Sequence, residues 1–182
     1  MKAKDADIFF IPGLDNSGPA HWQTRWQSRL ANAVRIDQRD WSLPKRDEWV
    51  ERVAEGLSQA RRPIVIVAHS LGIATALHAI AASRVKVRGG FFVAPPDLAN
   101  PSLRPKTLAA FGPYPRDPLP FPSITVVSRN DPLTSFEEAG DLANAWGSLL
   151  IDAGNSGHIN TASGHGPWPE GTMVFAQFLS RL

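Results

Sequence analysis

The fold follows from the stretch Ile64-Val65-Ile66-Val67-Ala68-His69-Ser70-Leu71-Gly72. This stretch begins with a run of apolar, mostly β-branched residues, which predicts a strand that is covered on both faces. A segment rich in Ala, Leu and Ile follows over residues 71–83 and has the length of a buried helix. Ser70 therefore stands at a sharp turn between a strand and a helix. The small residues Ala68 and Gly72 allow the two backbones to approach closely there.

Strand-like runs alternate with helix-length segments along the chain. The predicted strands cover residues 7–11, 33–37, 64–68, 89–93, 124–128 and 149–152. The predicted helices cover residues 21–32, 47–60, 71–83, 136–146 and 172–181. This alternation is typical of parallel strands joined by helices. The predicted fold class is α/β: a doubly wound, mostly parallel sheet of about six strands, flanked by helices on both faces, in a single domain over residues 1–182.

Three local patterns add expectations about single segments. Ser135 followed by Glu138 matches a capping box at the start of the fourth helix. Residues 94–122 are rich in proline and are expected to form an irregular surface excursion that borders a pocket, too short for a lid domain. Trp168 is expected to anchor the last helix, with a wall of the pocket as the alternative.

The composition narrows the function classes. The chain has 182 residues, 43% of them hydrophobic and 20% charged, which is enough to bury a core. It contains no cysteine, which excludes a disulfide framework, a thiolate metal site and a cysteine nucleophile and fits a reducing compartment. Lys and Arg are scattered and the net charge is only +2, so no nucleic-acid partner is expected.

Neither a membrane span nor secretion is expected. Residues 63–82 carry no formal charge, but His69, Ser70 and His78 interrupt this apolar stretch. The apolar run over residues 8–11 is too short for the core of a signal peptide. We therefore expect a cytoplasmic protein.

Two further residues have the right types and positions to activate Ser70. A serine hydroxyl is a poor nucleophile and needs a histidine base and an acid that orients the base. Asp131 follows the predicted strand 124–128, and His158 follows the predicted strand 149–152. The carboxyl ends of parallel strands meet at one edge of a sheet, so these side chains are expected to lie together. The order along the chain predicts a triad of Ser70, Asp131 and His158.

Each member of this triad also has a plainer interpretation. Ser70 could be an ordinary N-cap of a core helix, since serine is among the commonest caps. Asp131 could be a loop aspartate in an Asp-Pro turn, and His158 a solvated loop histidine. Asp152 could orient the base, but it ends the strand that leads to His158 and would leave Asp131 without a role.

The other histidines receive structural interpretations, with one exception. His165 is the second candidate for the base because it is close to His158 in sequence. His69 is expected to point away from the serine and to pack or bond locally. His78 is expected to be a satisfied histidine of the core, and His21 to open a helix.

No metal or cofactor is expected. His158, His165 and Asp152 could form a metal site, but scattered histidines rarely reach the required geometry. The sequence also lacks a glycine-rich phosphate-binding motif.

Acyl transfer needs hydrogen-bond donors for an oxyanion, and two main-chain amides are candidates. The amide that follows the serine belongs to Leu71. The loop 11–18 follows the first predicted strand, and its glycines allow an amide to turn inward; Leu14 is the candidate donor.

These residues resemble a known family of small α/β-fold serine hydrolases, which includes YdeN-type bacterial proteins and retinoblastoma-binding protein nine. The resemblance spans nearly the whole chain. It rests on Pro12-Gly13 with His21-Trp22, Ala68-His69-Ser70-Leu71-Gly72, Val93-Ala94-Pro95, Ser128-Arg129-Asn130-Asp131-Pro132, Gly157-His158-Ile159-Asn160, Ser163-Gly164 and Trp168-Pro169-Glu170-Gly171.

The resemblance implies an α/β-hydrolase fold without a cap domain. It also implies that Ser70, Asp131 and His158 are nucleophile, acid and base, and that His165 is a variable position. It leaves the natural substrate open, because the substrates of the family are mostly undefined. Binding to the retinoblastoma protein is not implied, since an L-x-C-x-E motif needs a cysteine that this chain lacks.

The expected function is that of an esterase-like serine hydrolase acting on a small-molecule acyl substrate, without a cofactor. Thioesters, lactones and amides are also compatible with the triad. The alternative is a binding or adaptor protein that kept the fold while turnover became incidental. A closed pocket with exposed aromatic side chains would favour the adaptor, and an open cleft at Ser70 would favour the enzyme. No particular protein partner is predicted.

Overall fold

A parallel sheet forms the centre of the computed structural model, which describes residues 1–83, 85–102 and 106–182. Within these residues the sheet has six strands in the order β2-β1-β3-β4-β5-β6, and each neighbouring pair is parallel. The strands are β1 Asp7–Ile11, β2 Ala33–Arg35, β3 Ile64–His69, β4 Val87–Val93, β5 Ser123–Val127 and β6 Leu149–Asp152. The α-helices are α1 Trp22–Gln27, α2 Arg46–Ser58, α3 Leu71–Ala82, α4 Phe136–Ala145 and α5 Pro169–Arg181.

Helices cover both faces of this sheet, as the alternation of patterns predicts. Successive strand residues point to opposite faces, so Phe9 and Phe10 enter two different cores. Phe9 packs with residues of α2, α3 and α4. Phe10 packs with residues of α1 and α5. The doubly wound α/β prediction is confirmed, and the described residues show no separate cap domain.

The predicted elements are present, with shifted ends. Helix α1 stops at Gln27 because the next residues form tighter turns, in which the amides of Arg29 and Leu30 donate to carbonyls three residues back. Helix α5 begins earlier than predicted, at Pro169, because the fixed φ of proline suits the first position of a helix. No described helix is long and apolar enough to cross a membrane.

The two edge strands of the sheet are less well covered than its central strands. In β6 the side chains of Leu149 and Leu150 are 52% and 37% exposed, and Val34 in β2 is 39% exposed. An edge strand has a neighbour on one side only, so the covering helices leave part of it open to solvent.

The segment over residues 94–122 is more than a surface excursion. Residues 103–105 lie outside the described part, and Lys106–Phe111 forms a 3-10 turn. Several of its apolar side chains are buried in the core on the α3 side of the sheet. They are Leu98, Leu108, Phe111, Tyr114 and Phe121. The expectation of a surface excursion is therefore wrong for these side chains, because this segment closes one core.

The predicted capping box at α4 forms only in part. The Ser135 hydroxyl accepts from the Glu138 amide at 3.1 Å, as predicted. The Glu138 carboxylate does not return to the backbone of Ser135. It pairs with Arg116 at 2.9 Å, because the 94–122 segment brings a cation within reach.

Candidate active site

Ser70 occupies a strained turn between β3 and α3. Its backbone angles are φ 54° and ψ −128°, a region that L-residues seldom adopt. The Ser70 amide donates to the carbonyl of Val93 at 3.0 Å, which ties the turn to β4. The hydroxyl makes no capping bond to α3, so the interpretation of Ser70 as an ordinary N-cap is wrong.

Glycines on two sides make this turn possible. A Cβ on Gly72 would lie 2.2 Å from the Ile11 oxygen and 2.6 Å from the Pro12 oxygen. A Cβ on Gly13 would lie 2.9 Å from the Cβ of Ser70. The end of β1 and the turn at Ser70 thus approach to a distance that only glycine allows, as the sequence predicts for position 72.

A continuous hydrogen-bond chain runs from Ser70 through His158 to Asp131. Nε2 of His158 lies 2.8 Å from the Ser70 Oγ, and Nδ1 lies 2.8 Å from Oδ2 of Asp131. A carboxylate can only accept, so Nδ1 carries the proton, and Nε2 is left to accept from the serine hydroxyl. The Asp131 side chain is fully buried and the His158 side chain is 11% exposed. The arrangement can transfer a proton from Ser70 to a base that a buried carboxylate orients.

The loop that carries His158 is held by α1 and by β3. The indole Nε1 of Trp22 donates to the carbonyl of Ile159 at 2.9 Å, where Ile159 has a φ of 46°. Nε2 of His69 donates to the carbonyl of His158 at 2.9 Å. His69 therefore supports the base from a distant part of the chain. The expectation that His69 bonds locally is wrong, because the loop after β6 folds over the end of β3.

A second set of bonds joins the acid loop to the base loop. The Oδ1 of Asn130 accepts from the Gly157 amide at 2.7 Å and from the Ser128 hydroxyl at 2.9 Å. Oδ1 of Asp131 accepts from the Leu133 amide at 2.9 Å. These bonds limit the movement of His158 relative to Asp131. Sequence reasoning missed Asn130, although its place in the Asn-Asp-Pro turn was a usable signal.

Leu14 and Leu71, whose amides are the candidate oxyanion donors, lie at the cavity over Ser70 and directly after Ser70, respectively. Leu71 is the first residue of α3, and Leu14 lines the cavity over the serine. Neither amide has a hydrogen-bond acceptor among residues 1–83, 85–102 and 106–182. The assignment of these two amides as oxyanion donors stays a prediction.

The loop that carries Leu14 has an unusual backbone and a charged anchor. Asp15 and Asn16 have φ of 58° and 66°, so two successive residues are left-handed. The guanidinium of Arg35 reaches beneath them, bonds the side chain of Asn16 and donates to the carbonyl of Ser17 at 2.9 Å. Burial lowers the pKa of Arg35 from its ordinary value. Sequence reasoning missed this anchor, since a single arginine at the end of a strand gives no local signal.

The cavity over Ser70 has a volume of about 310 Å³ and opens to solvent. Leu14 and Leu108 form an apolar side, continuous with the core against α2, α3 and α4. His21, His158 and Asn160 are among the polar residues that line the cavity. The 94–122 segment borders this cavity through Leu108, in the role expected of it.

The remaining candidates lie apart from Ser70. His165 contacts the Ser163 hydroxyl at 3.2 Å and lies against Trp168. Asp152 pairs with Arg129, and this ion pair lowers the pKa of Asp152. His78 contacts the carbonyl of Phe111 at 2.9 Å, so it is a satisfied histidine that faces the 94–122 segment. Among the described residues, no group of three or more His, Asp or Glu is placed to hold a metal ion.

Two of the histidines that line the cavity are neutral. Burial lowers the pKa of His21 to about 4, and the positive charge of Arg35 contributes to this shift. Burial also lowers the pKa of His69 well below its ordinary value, and the neighbouring His158 adds to the effect. Both rings therefore stay uncharged at neutral pH. The ring in contact with the Ser70 hydroxyl is that of His158.

The fold and the serine at its sharp turn define an α/β hydrolase. The family model described as serine hydrolase matches residues 8–177, and the chain belongs to this family. It is an enzyme with the fold of esterase-like serine hydrolases. No curated protein matches the chain.

Solved structures agree with this assignment. A YdeN-like hydrolase from Pectobacterium atrosepticum is 34% identical, with a TM-score of 0.86 over 97% of this chain and 91% of that chain. The ydeN gene product of B. subtilis is 20% identical, with a TM-score of 0.77 over 95% and 98%. Thermogutta terrifontis esterase 2 is 18% identical, with a TM-score of 0.71 over 100% and 85%. The last two show a shared fold, and the resemblance to YdeN-type hydrolases is confirmed.

Proposed function

We propose that this serine hydrolase cleaves small esters through Ser70, His158 and Asp131, by way of an acyl-enzyme. The observation that carries the proposal is the hydrogen-bond chain of Ser70, His158 and Asp131, which ends in an open cavity. The cavity volume of about 310 Å³ is near the lower end for small-molecule sites, which favours a small substrate.

In the first half of the reaction, the Ser70 Oγ attacks the ester carbonyl while its proton passes to Nε2 of His158. The carbonyl π electrons move to the oxygen, and the resulting oxyanion accepts from the amides of Leu71 and Leu14. When the intermediate collapses, the bond to the alcohol oxygen breaks and His158 gives its proton to that oxygen. Asp131 holds the imidazolium in place throughout.

In the second half, water takes the place of the alcohol. His158 accepts a proton from the water, whose oxygen attacks the acyl-enzyme. Collapse of the second intermediate returns the proton to Ser70 and releases the acid. None of these steps uses a metal, a cofactor or a protein partner. The proposed substrate is a small-molecule acyl compound, and the proposed location of the enzyme is the cytoplasm.

The adaptor alternative finds less support. The cavity at Ser70 is open, which is the arrangement that favours an enzyme. The exposed large hydrophobic side chains of the described residues include no aromatic one. They are Val34, Leu43, Leu149, Leu150 and Met173.

The test is covalent labelling by a fluorophosphonate, which reacts with an activated serine. We expect the wild-type protein to be labelled and Ser70→Ala to be unlabelled, because the alanine removes the attacking oxygen. Ser180→Ala is the matched control, since this hydroxyl is exposed at the end of α5 and donates to the carbonyl of Gln177. Hydrolysis of p-nitrophenyl butyrate should follow the same pattern. An unlabelled but folded wild-type protein would refute the proposal.

A further inference from the structure

His21 is a buried histidine of the active-site cavity that the proposed chemistry does not use. It is 5% exposed and lines the cavity together with Ser70. It is also the N-cap of α1, where Nδ1 accepts from the amide of Gln23 at 3.1 Å. The sequence predicts only this second role, the opening of a helix.

The cap determines which ring nitrogen carries the proton. An Nδ1 that accepts a hydrogen bond is unprotonated, so the neutral ring of His21 has its proton on Nε2. The low pKa of His21, about 4, keeps the ring in this neutral form at ordinary pH. In the part of the chain that the structure describes, Nε2 has no hydrogen-bond acceptor. A ring that lines the cavity thus carries a fixed donor without a partner among the described residues.

The Nε2 donor of His21 is close to the base of the proposed triad. The rings of His21 and His158 each lie with their centroids 5.0 Å from that of His69, so His21 is a near neighbour of the base. The apolar side, with Leu14 and Leu108, belongs to the other core. His158 must reach the leaving oxygen to protonate it, so the alcohol part of an ester lies beside His158, in the part of the cavity nearest to His21.

We propose that the Nε2–H of His21 binds an acceptor oxygen in the alcohol part of the substrate. Short apolar acyl groups then fit against Leu14 and Leu108, while the favoured alcohols carry an ether, hydroxyl or carbonyl oxygen. This inference rests on the proposed function of Ser70, His158 and Asp131. It makes His21 a substrate-binding residue that selects among esters.

The test compares methoxyethyl butyrate with n-butyl butyrate, two esters that differ by the exchange of one methylene for an oxygen. The quantity measured is the ratio of their kcat/KM values, divided by the ratio of their rates of alkaline hydrolysis. We call this quotient the corrected ratio. We expect the wild-type enzyme to favour the methoxyethyl ester by about three- to tenfold, the size of one net hydrogen bond. A corrected ratio near unity in the wild-type enzyme would overturn the inference without any variant.

His21→Thr separates the two roles of the residue. Threonine keeps an acceptor that can cap α1 but cannot reach the cavity as a donor. We expect the corrected ratio to fall to near unity in this variant. The matched histidine control is His165→Gln, a half-buried ring outside the Ser70 cavity, which should keep the wild-type ratio. His21→Ser also keeps a capping acceptor on a side chain too short to reach the cavity as a donor, and it replaces His21→Thr if that variant does not fold.

Three further outcomes complete the test. If the ratio is the same in wild type and His21→Thr, the inference is wrong. If His21→Thr instead changes the ratio for p-nitrophenyl methoxyacetate over p-nitrophenyl butyrate, His21 binds the acyl part and the assignment to the alcohol side is wrong. If the folded wild-type protein is not labelled by the fluorophosphonate, the proposed function itself fails, and the inference fails with it.

Discussion

At the scale of a single residue, Gly72 lies where two backbone segments approach so closely that the position has no room for a side chain. A methyl group there would lie 2.2 Å from the carbonyl oxygen of Ile11, a main-chain atom that cannot rotate away. We expect Gly72→Ala to lower the free energy of unfolding by about 3 kcal/mol and to reduce labelling of Ser70, because α3 must shift away from β1.

The matched control is Gly140→Ala in α4. A Cβ there would meet only Leu150 Cδ2, at an ordinary 4.0 Å. Alanine should therefore raise the free energy of unfolding by about 0.5–1 kcal/mol, the usual gain within a helix. Urea unfolding curves measure both variants. Equal effects at the two positions would contradict the close approach at Gly72.

At the scale of an element, α5 is anchored by the aromatic ring that precedes it. Trp168 stacks on Trp26 with ring centroids 5.6 Å apart and lies 5.1 Å from Trp22. It does not line the cavity over Ser70. The expectation that Trp168 anchors the last helix therefore fits the packing better than a pocket wall does.

We expect Trp168→Ala to lower the free energy of unfolding by about 3–5 kcal/mol, the usual cost of removing a buried aromatic ring. The kcat/KM of the folded enzyme should change little, because the ring is outside the cavity. Met173→Ala is the control on the same helix, since Met173 is 73% exposed and should change stability by less than about 0.5 kcal/mol. A loss of activity without a loss of stability would place Trp168 in the substrate site.

At the scale of the whole molecule, the buried neutral histidines couple stability to pH. The pKa of His21 is about 4 in the folded protein, whereas an unfolded chain titrates near its ordinary value of 6.5. Between these values the unfolded state binds a proton that the folded state does not, so stability falls as pH falls. The lowered pKa of His69 acts in the same direction.

We therefore expect the free energy of unfolding to be highest above about pH 6.5 and to decrease toward pH 4, by about 3 kcal/mol from His21 alone. Urea unfolding at a series of pH values measures this slope. His21→Thr should make the slope shallower, because it removes one of the groups responsible. A slope unchanged in that variant would show that His21 does not cause it.

Much of the fold could be predicted because its signals are local. The apolar run over residues 64–68, the small residues around Ser70 and the alternation of strand and helix patterns each depend on neighbours in sequence. Asp131 and His158 could be placed near Ser70 for a related reason. Parallel strands bring their carboxyl ends to one edge, so a position just after a strand is enough to locate a side chain.

The sequence by itself thus determined the α/β class, the sharp turn at Ser70 and the candidate triad. Only the tertiary structure placed His21 in the cavity, joined Arg35 to the loop of Leu14 and buried the apolar side chains of the 94–122 segment. Each of these contacts joins segments that are distant in the chain, and its existence depends on how loops and helices pack over the sheet. Strands and helices can be predicted because their residues repeat with a regular period along the sequence. Contacts between distant segments depend on the close packing of side chains whose positions in the sequence follow no such period.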